Sequence, residues 1–297
     1  MPSRSRRIGS VLGLLIGDAV GTTNEFRQPG TFPRLTDMVG GGTFALPAGA
    51  WTDDGAMAMC LAESLIECGG FNAEDQMQRY VHWWREGYWS ATGTCFDIGI
   101  TTRRALLRFE ANGDPIAGDS SAESAGNGSI MRLAPVVAFY ASDPAAAVRH
   151  ARASSRTTHA AAECIDGCEL LARLLLLGYS GESMTGPIAP GAEWSAALVE
   201  VARTIVAIDD VPPRPPSGYV VDTLACARWC LARSSSFREA VLCAANLGGD
   251  ADTIAAVTGQ LAGARWGVEG IPPEWIDKLA MHERVMQVVE KLADGPR

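Results

Sequence analysis

Asn246-Leu247-Gly248-Gly249-Asp250-Ala251-Asp252-Thr253 stands close to the C-terminal end of the chain and runs into an apolar helical pattern over residues 252–265. Near the other end, Trp51-Thr52-Asp53-Asp54 runs into a second such pattern over 55–68. Each segment brings two carboxylates and a hydroxyl together at a helix start. Thr, Asp and Asn are preferred N-caps, and acids in a first turn complement the helix dipole, so capping accounts for either segment taken alone. Together they carry more. Thr52-Asp53-Asp54 has two acids where one cap would do, and Gly248-Gly249 removes side chains just before Asp250, as a tight approach to a ligand needs. Hard oxygen donors at this density suit Mg²⁺ or Mn²⁺. Carboxylates gathered in one pocket repel each other unless cations neutralise them. If the fold joins the segments, they can hold a pair of divalent ions, a device suited to hydrolysis.

Outward from these segments the pattern is helical almost throughout. A 3.6-residue period recurs over 55–68, 74–88, 97–110, 129–141, 144–152, 159–177, 192–208, 219–233, 237–246, 252–265 and 274–293, with hardly any strand-like alternation. An amphipathic first helix is expected, with Ile8, Val11, Leu12, Leu15 and Ala19 on one side. Gly- and Pro-rich connections fill 22–50, 111–128, 179–191 and 211–218, and loops of this length are usually functional. Pro212-Pro213-Arg214-Pro215-Pro216 could pass for a linker, but the final acidic segment lies beyond it. Both segments must therefore belong to one unit. The expected fold is all-α: a single-domain orthogonal helical bundle over residues 1–297 with long loops at the site.

Composition narrows the function. Of 297 residues 47% are hydrophobic and 20% charged, so a sizeable core is available. A net charge of −9 with no basic block argues against nucleic acid as a partner. Arg4, Arg6 and Arg7 precede an apolar run from Ile8 to Ile16, but Asp18 follows at once and no cleavage site is evident, so a helix is read there and not a signal peptide. No apolar run is long enough to span a membrane. Among the eight cysteines Cys164/Cys168 and Cys226/Cys230 share helix faces, and His82, His150, His159 and His282 lack zinc-type spacing, so these read as core thiols. Reduced thiols without an export signal point to the cytoplasm.

A set of motifs in fixed order resembles the ADP-ribosylglycohydrolases, nearest the branch that includes the dinitrogenase reductase-activating glycohydrolases. The set runs from Gly17-Asp18-Ala19-Val20-Gly21 with Glu25-Phe26 to Thr52-Asp53-Asp54 and Asp97-Ile98-Gly99 with Thr101-Thr102-Arg103. Gly126-Asn127-Gly128-Ser129-Ile130-Met131-Arg132 and Gly248-Gly249-Asp250-Ala251-Asp252-Thr253-Ile254-Ala255-Ala256 complete it. The resemblance implies two Mg²⁺ (or Mn²⁺) held by Thr52, Asp53, Asp54, Asp250, Asp252 and Thr253, and hydrolysis of the bond at C1″ of ADP-ribose. It makes Glu25 a metal-edge residue or general base, while Asp18 fixes loop or helix ends. Asp97 either caps a helix that it opens or, as a matching acid does in arginine-specific relatives, reads the guanidinium or acts at the scissile bond. Gly126, Asn127, Gly128 and Ser129 would cradle the diphosphate at a helix start, with His159 near the phosphates and Tyr219 stacking on adenine or packing its helix. Arg103 and Arg104 are read as structural. Relatives usually carry Thr or Ser after Thr-Asp-Asp, where this chain has Gly55. The expected substrate is an ADP-ribosylated protein, most readily one modified on arginine, with ADP-ribose as product and a monomeric enzyme. Alternatives are a non-catalytic ADP-ribose-binding or toxin-neutralising module, a structural protein reusing the scaffold, and a hydrolase of serine-linked, nucleobase-linked or free ADP-ribosyl groups.

Overall fold

The computed structural model describes residues 2–204 and 211–296. Among the described residues the chain is helical, with no strand and only isolated bridges such as Gly126–Tyr219 and Asp119–His159. The order is α1 (Arg4–Gly21), α2 (Asp53–Glu67), α3 (Ala73–Glu86), α4 (Ile100–Asn112), α5 (Ala134–Phe139), α6 (Pro144–Arg156) and α7 (Ala162–Ser180). Then follow α8 (Ala196–Arg203), α9 (Val220–Ala232), α10 (Phe237–Ala245), α11 (Ala251–Trp266), α12 (Pro273–Lys278) and α13 (His282–Leu292).

The first and the eleventh helix form the spine. Gly9, Gly13, Gly17 and Gly21 recur every fourth residue along one side of α1. They face Gly263, Gly259, Ala255 and Ala251 of α11, so the helices run antiparallel. The backbones touch: a Cβ added at Gly13 would lie 2.1 Å from the Gly259 carbonyl oxygen, and one at Gly17 would lie 2.0 Å from that of Ala255. No other residue type allows this approach. The spine is then enclosed. Ile8 to Gly21 of α1 and Ala251 to Ala264 of α11 are all buried, so α1 buries its other sides as well as the expected Ile8–Ala19 face. α2, α5, α7, α9 and α10 pack around it, and Trp51, Trp83, Trp89 and Trp275 fill the gaps between layers. The end of α1 and the start of α11, some 230 residues apart in sequence, thus meet at one point.

Several expected helices are shorter, each for a visible reason. The 129–141 pattern yields a helix only over Ala134–Phe139, because residues 127–132 form tight turns in which the Asn127 carbonyl accepts from both Ile130 N and Met131 N. The 97–110 helix starts at Ile100, with Gly99 as its N-cap. The 274–293 pattern breaks between Lys278 and His282, where Ala280 N donates to Gly49 O and Met281 takes a left-handed φ of 50°. Of the 192–208 pattern, Ala196–Arg203 is helical, and residues 205–210 lie outside those described.

Candidate active site

The two acidic helix starts do not cap themselves. Neither Thr52 at the head of α2 nor Asp250 at the head of α11 accepts a backbone N–H of its own first turn. Asp18, projecting from the spine, caps α2 instead. Its carboxylate accepts from Thr52 N at 3.0 Å, Thr52 Oγ1 at 3.0 Å and Gly55 N at 2.8 Å. Burial pushes the Asp18 carboxyl up to about 7, against the pull of those donors. Gly55 has a steric reason as well. A Cβ there would stand 2.5 Å from Cγ of Trp51, whose indole is fully buried and donates to Trp89 O at 3.0 Å. The indole occupies the space that a side chain at position 55 would need.

With Asp18 capping α2, the other acids turn inward and the chain ends interlock. Thr52 Oγ1 lies 3.4 Å from Asp252 Oδ2, and Thr253 Oγ1 lies 3.5 Å from Asp54 Oδ1. Asp250 accepts from the amide of Asn127, which also donates to Thr223 Oγ1 at 2.9 Å. Two loop acids close the group. Carboxylate oxygens of Glu25, Asp97 and Asp252 all lie within 4.8 Å of one another, close enough to ligate one cation. Glu25 follows the single 3₁₀ turn after α1, and its loop is pinned by Phe26 N to Gly249 O at 2.7 Å and Gly249 N to Arg27 O at 2.8 Å. Gly248 and Gly249 are indispensable here: both take left-handed φ (72° and 61°), and a Cβ on Gly249 would lie 2.0 Å from Pro216 O. The close approach they permit in this structure is to the chain's own backbone, at Arg27 and Pro216.

Asp97 does not open α4, as its sequence position suggested. It lies three residues ahead of Ile100 with a left-handed φ of 57°, a conformation that Asp tolerates better than most residues. Phe44 bridges the two loop acids' segments, with ring centroids 6.3 Å from Phe26 and 5.1 Å from Phe96.

The electrostatics are those of a crowded, buried acidic cluster that could hold a cation. Glu25 Oε2, Asp54 Oδ2 and Asp252 Oδ1 are buried with no hydrogen-bond partner. Burial and the charges of Asp97, Asp250, Asp53 and Asp18 push the Glu25 carboxyl up to about 10. Asp97 rises to about 7 through burial and the Asp18 and Asp250 charges, against the pull of a hydrogen bond from Glu25. Burial first, then neighbouring carboxylates, hold Asp53, Asp54 and Asp252 well above the usual carboxylate range. Orphaned buried oxygens on like-charged groups are costly, and divalent ions would relieve both penalties at once. The donor set of carboxylates and hydroxyls fits Mg²⁺ or Mn²⁺.

Above the acids opens a cavity of about 450 Å³ lined by Glu25, Asp53, Asp97, Asp250, Asp252 and the Gly126–Gly128 turn, with His159 in its wall. A larger hollow of about 650 Å³, between Arg34, Trp229 and Leu242, contains none of the clustered acids. Gly126, Asn127, Gly128 and His159 thus reach the cavity. Ser129 is turned inward instead, with its hydroxyl 2.9 Å from Ser155 Oγ, and the turn is separated from α5 by five residues, so no helix start backs it. Tyr219 is not in the lining. Its hydroxyl donates to Glu163 at 2.6 Å while its backbone pairs with Gly126. Cys164 and Cys168 pack beneath the turn, Sγ of Cys164 lying 3.2 Å from Gly126 O.

A model of the ADP-ribosylglycohydrolases matches residues 1–297. The chain belongs to the ADP-ribosylglycohydrolase family. It is 40% identical to ADP-ribosylarginine hydrolase Tri1 of Pseudomonas putida, over 97% of this chain and 78% of that one. It is 31% identical to the ADP-ribosyl-[dinitrogen reductase] glycohydrolase of Rhodospirillum rubrum, over 93% and 90%. A solved structure described as an ADP-ribosylglycohydrolase-related protein complex superposes with a TM-score of 0.86 at 41% identity, covering 99% of both chains. The ADP-ribosylglycohydrolase resemblance in the motifs therefore holds across the chain, and so does the all-helical fold.

Among the described residues no helix is long and apolar enough to cross a membrane. Sequence reasoning missed the spine, although it was legible in the four-residue glycine spacing of α1. The placement of Asp18 at a helix end was expected from the resemblance; which helix it caps had no local signal, since its partners lie 34 and 37 residues away.

Proposed function

We propose that this protein is a hydrolase that removes ADP-ribose from arginine side chains of modified proteins, using two divalent ions held jointly by the two ends of its chain. One observation carries the metal half: three carboxylate oxygens, on Glu25, Asp54 and Asp252, are buried without partners and face shared space. The arginine half rests on the relatives named as ADP-ribosylarginine hydrolases and on Asp97 in the cavity wall.

Thr52, Asp53, Asp54, Asp250, Asp252 and Thr253 would hold the ions, with Glu25 and Asp97 at the edge. Bound there, Mg²⁺ or Mn²⁺ supplies Lewis acidity and a template for vicinal ribose hydroxyls. The chain supplies the rest. Glu25, as a carboxylate, takes the proton of the attacking water. Asp97 pairs with the guanidinium leaving group and holds it beside C1″. The Gly126–Gly128 turn offers backbone groups to the diphosphate, and Asn127 ties that turn to Asp250, so ligand and acid positions are fixed together.

The test is incubation with Mg²⁺ and three substrates, proteins ADP-ribosylated separately on arginine, serine and aspartate. Release from arginine alone is expected. Release from serine or aspartate instead would replace the arginine assignment, and full release in excess chelator would remove the metals.

A further inference from the structure

His159 is only 3% exposed, yet its ring stands in the cavity wall. A Cβ on Gly128 would come within 2.9 Å of Nε2, so the bare turn leaves that nitrogen room. Nε2 has no protein partner among the described residues, whereas Nδ1 lies 2.8 Å from Thr158 Oγ1. The same hydroxyl accepts from Arg132 Nη2 at 2.6 Å. A guanidinium can only donate, so the Thr158 oxygen is an acceptor there and its single proton must go elsewhere. Thr158 is fully buried, and the remaining polar atom in reach is His159 Nδ1. A proton on Nδ1 would leave the hydroxyl proton buried without an acceptor, which is strongly disfavoured. The ring proton therefore sits on Nε2.

The donor of this relay is itself fixed. Arg132 is fully buried, gives Nη1 to Gly128 O at 2.8 Å and lies with its guanidinium 4.8 Å from the Tyr80 ring centroid. The His159 backbone is clamped by His159 N to Ser155 O at 2.7 Å and Ser155 Oγ to His159 O at 2.8 Å.

We infer that Arg132 and Thr158 are positioning residues that lock His159 as the neutral Nε2–H tautomer, presenting one fixed, uncharged donor to a diphosphate oxygen of the ligand. The ligand's identity rests on the ADP-ribose reading above; the tautomer does not. Burial and the Arg132 charge agree with it, pushing the imidazole down to about 3. Asp119 turns its carboxylate to Ser121 N, Glu163 accepts from Tyr219 and the cavity's Asp250 accepts from Asn127, so none of these acids is hydrogen-bonded to the imidazole. A neutral donor at this position orients a phosphate equally well throughout the physiological range.

The test uses full-length protein labelled with ¹⁵N-histidine. Long-range ¹H–¹⁵N correlations are recorded from pH 5 to 8, with His159→Gln identifying the signal among the four histidines. A non-titrating Nε2–H signature for His159 is expected. An Nδ1–H tautomer, or titration within that range, would overturn the inference. Thr158→Val keeps the shape and removes the relay. It should mix the tautomers and weaken ADP-ribose binding about tenfold, as for loss of one oriented hydrogen bond, while Thr158→Ser restores both. Unchanged tautomer and affinity in Thr158→Val would also overturn the positioning role. Failure of the wild-type protein to bind ADP-ribose would count against the proposed function and leave the tautomer to be judged by its spectrum.

Discussion

The acids of the site fall into two groups that face the same space but are held in opposite ways. Asp53, Asp54, Asp250 and Asp252 stand at helix starts, fixed by a spine in which α1 and α11 touch backbone to backbone. Glu25 and Asp97 stand on loops beside left-handed backbone, at Phe26 and at Asp97 itself, and are tied by short strand-like contacts and a bridging phenylalanine. Helix-borne acids cannot move without shifting the core. Loop-borne acids can be re-aimed by a change of a few dihedrals. The first group is suited to holding charge in place, the second to handling a proton or a leaving group that changes during reaction.

The largest expected effect separates the groups by chemistry. Asp53→Asn and Asp252→Asn should each abolish measurable hydrolysis, because one lost charge disturbs a shared site. Asp97→Asn should lower turnover of ADP-ribosyl-arginine on the order of 100-fold, as for loss of a charge-pairing or acid–base group, with a far smaller change in ADP-ribose affinity. Asn also tolerates the left-handed backbone, so the loop should survive the change. Single-turnover hydrolysis and calorimetric binding on the same variants check both statements. Wild-type turnover by Asp97→Asn would reduce that residue to a loop-shaping role.

Next comes stability. Gly13→Ala or Gly259→Ala forces a methyl group against a carbonyl oxygen about 2 Å away (2.1 and 1.9 Å), and should cost about 1–3 kcal/mol, as overpacking of a tight core does. Gly30→Ala meets no atom within 4 Å, yet its left-handed φ of 74° makes it a control for backbone strain alone. Denaturant melts that find the three variants alike would contradict the spine. In chelator, pH should act in a defined direction. The folded pKa values of Asp18, Asp97 and Glu25 (about 7, 7 and 10) lie above the ordinary 3.8 to 4.5, so the folded state binds more protons than the unfolded state. Their contribution is complete below about pH 4 and is lost as pH rises through 7 towards 10. The melting temperature of metal-free protein should therefore fall from pH 5 to 9, and Mg²⁺ should flatten the slope. A rising or level curve in chelator would contradict the buried acidic cluster.

How much of this was legible in the sequence follows from the range of the interactions. Helices with strong periodicity, such as α2 and α11, lie within two residues of their expected bounds, because the pattern and the burial agree. The 129–141 stretch misled because its apolar residues are buried by turns as well as by helix. The pairing of Thr52-Asp53-Asp54 with Asp250-Ala251-Asp252-Thr253 was legible because each half carried more acids than a cap needs. Asp97 kept its place in the cavity but lost its helix, since a left-handed residue leaves no periodic mark. The Arg132–Thr158–His159 relay was invisible, because it depends on which atom donates to which, and only coordinates show that.

The most direct test of metal held jointly by the two chain ends is a thermal scan at pH 8, in chelator and in excess Mg²⁺, on wild type, Asp53→Asn and Asp252→Asn. Wild type should melt higher with Mg²⁺ by mass action on the folded state. Each variant should melt higher than wild type in chelator, since one buried repulsive charge is gone, and should gain little from Mg²⁺. A Mg²⁺ shift in either variant equal to that of wild type, or no shift in wild type at a Mg²⁺ concentration that supports hydrolysis, would contradict a site built from both ends.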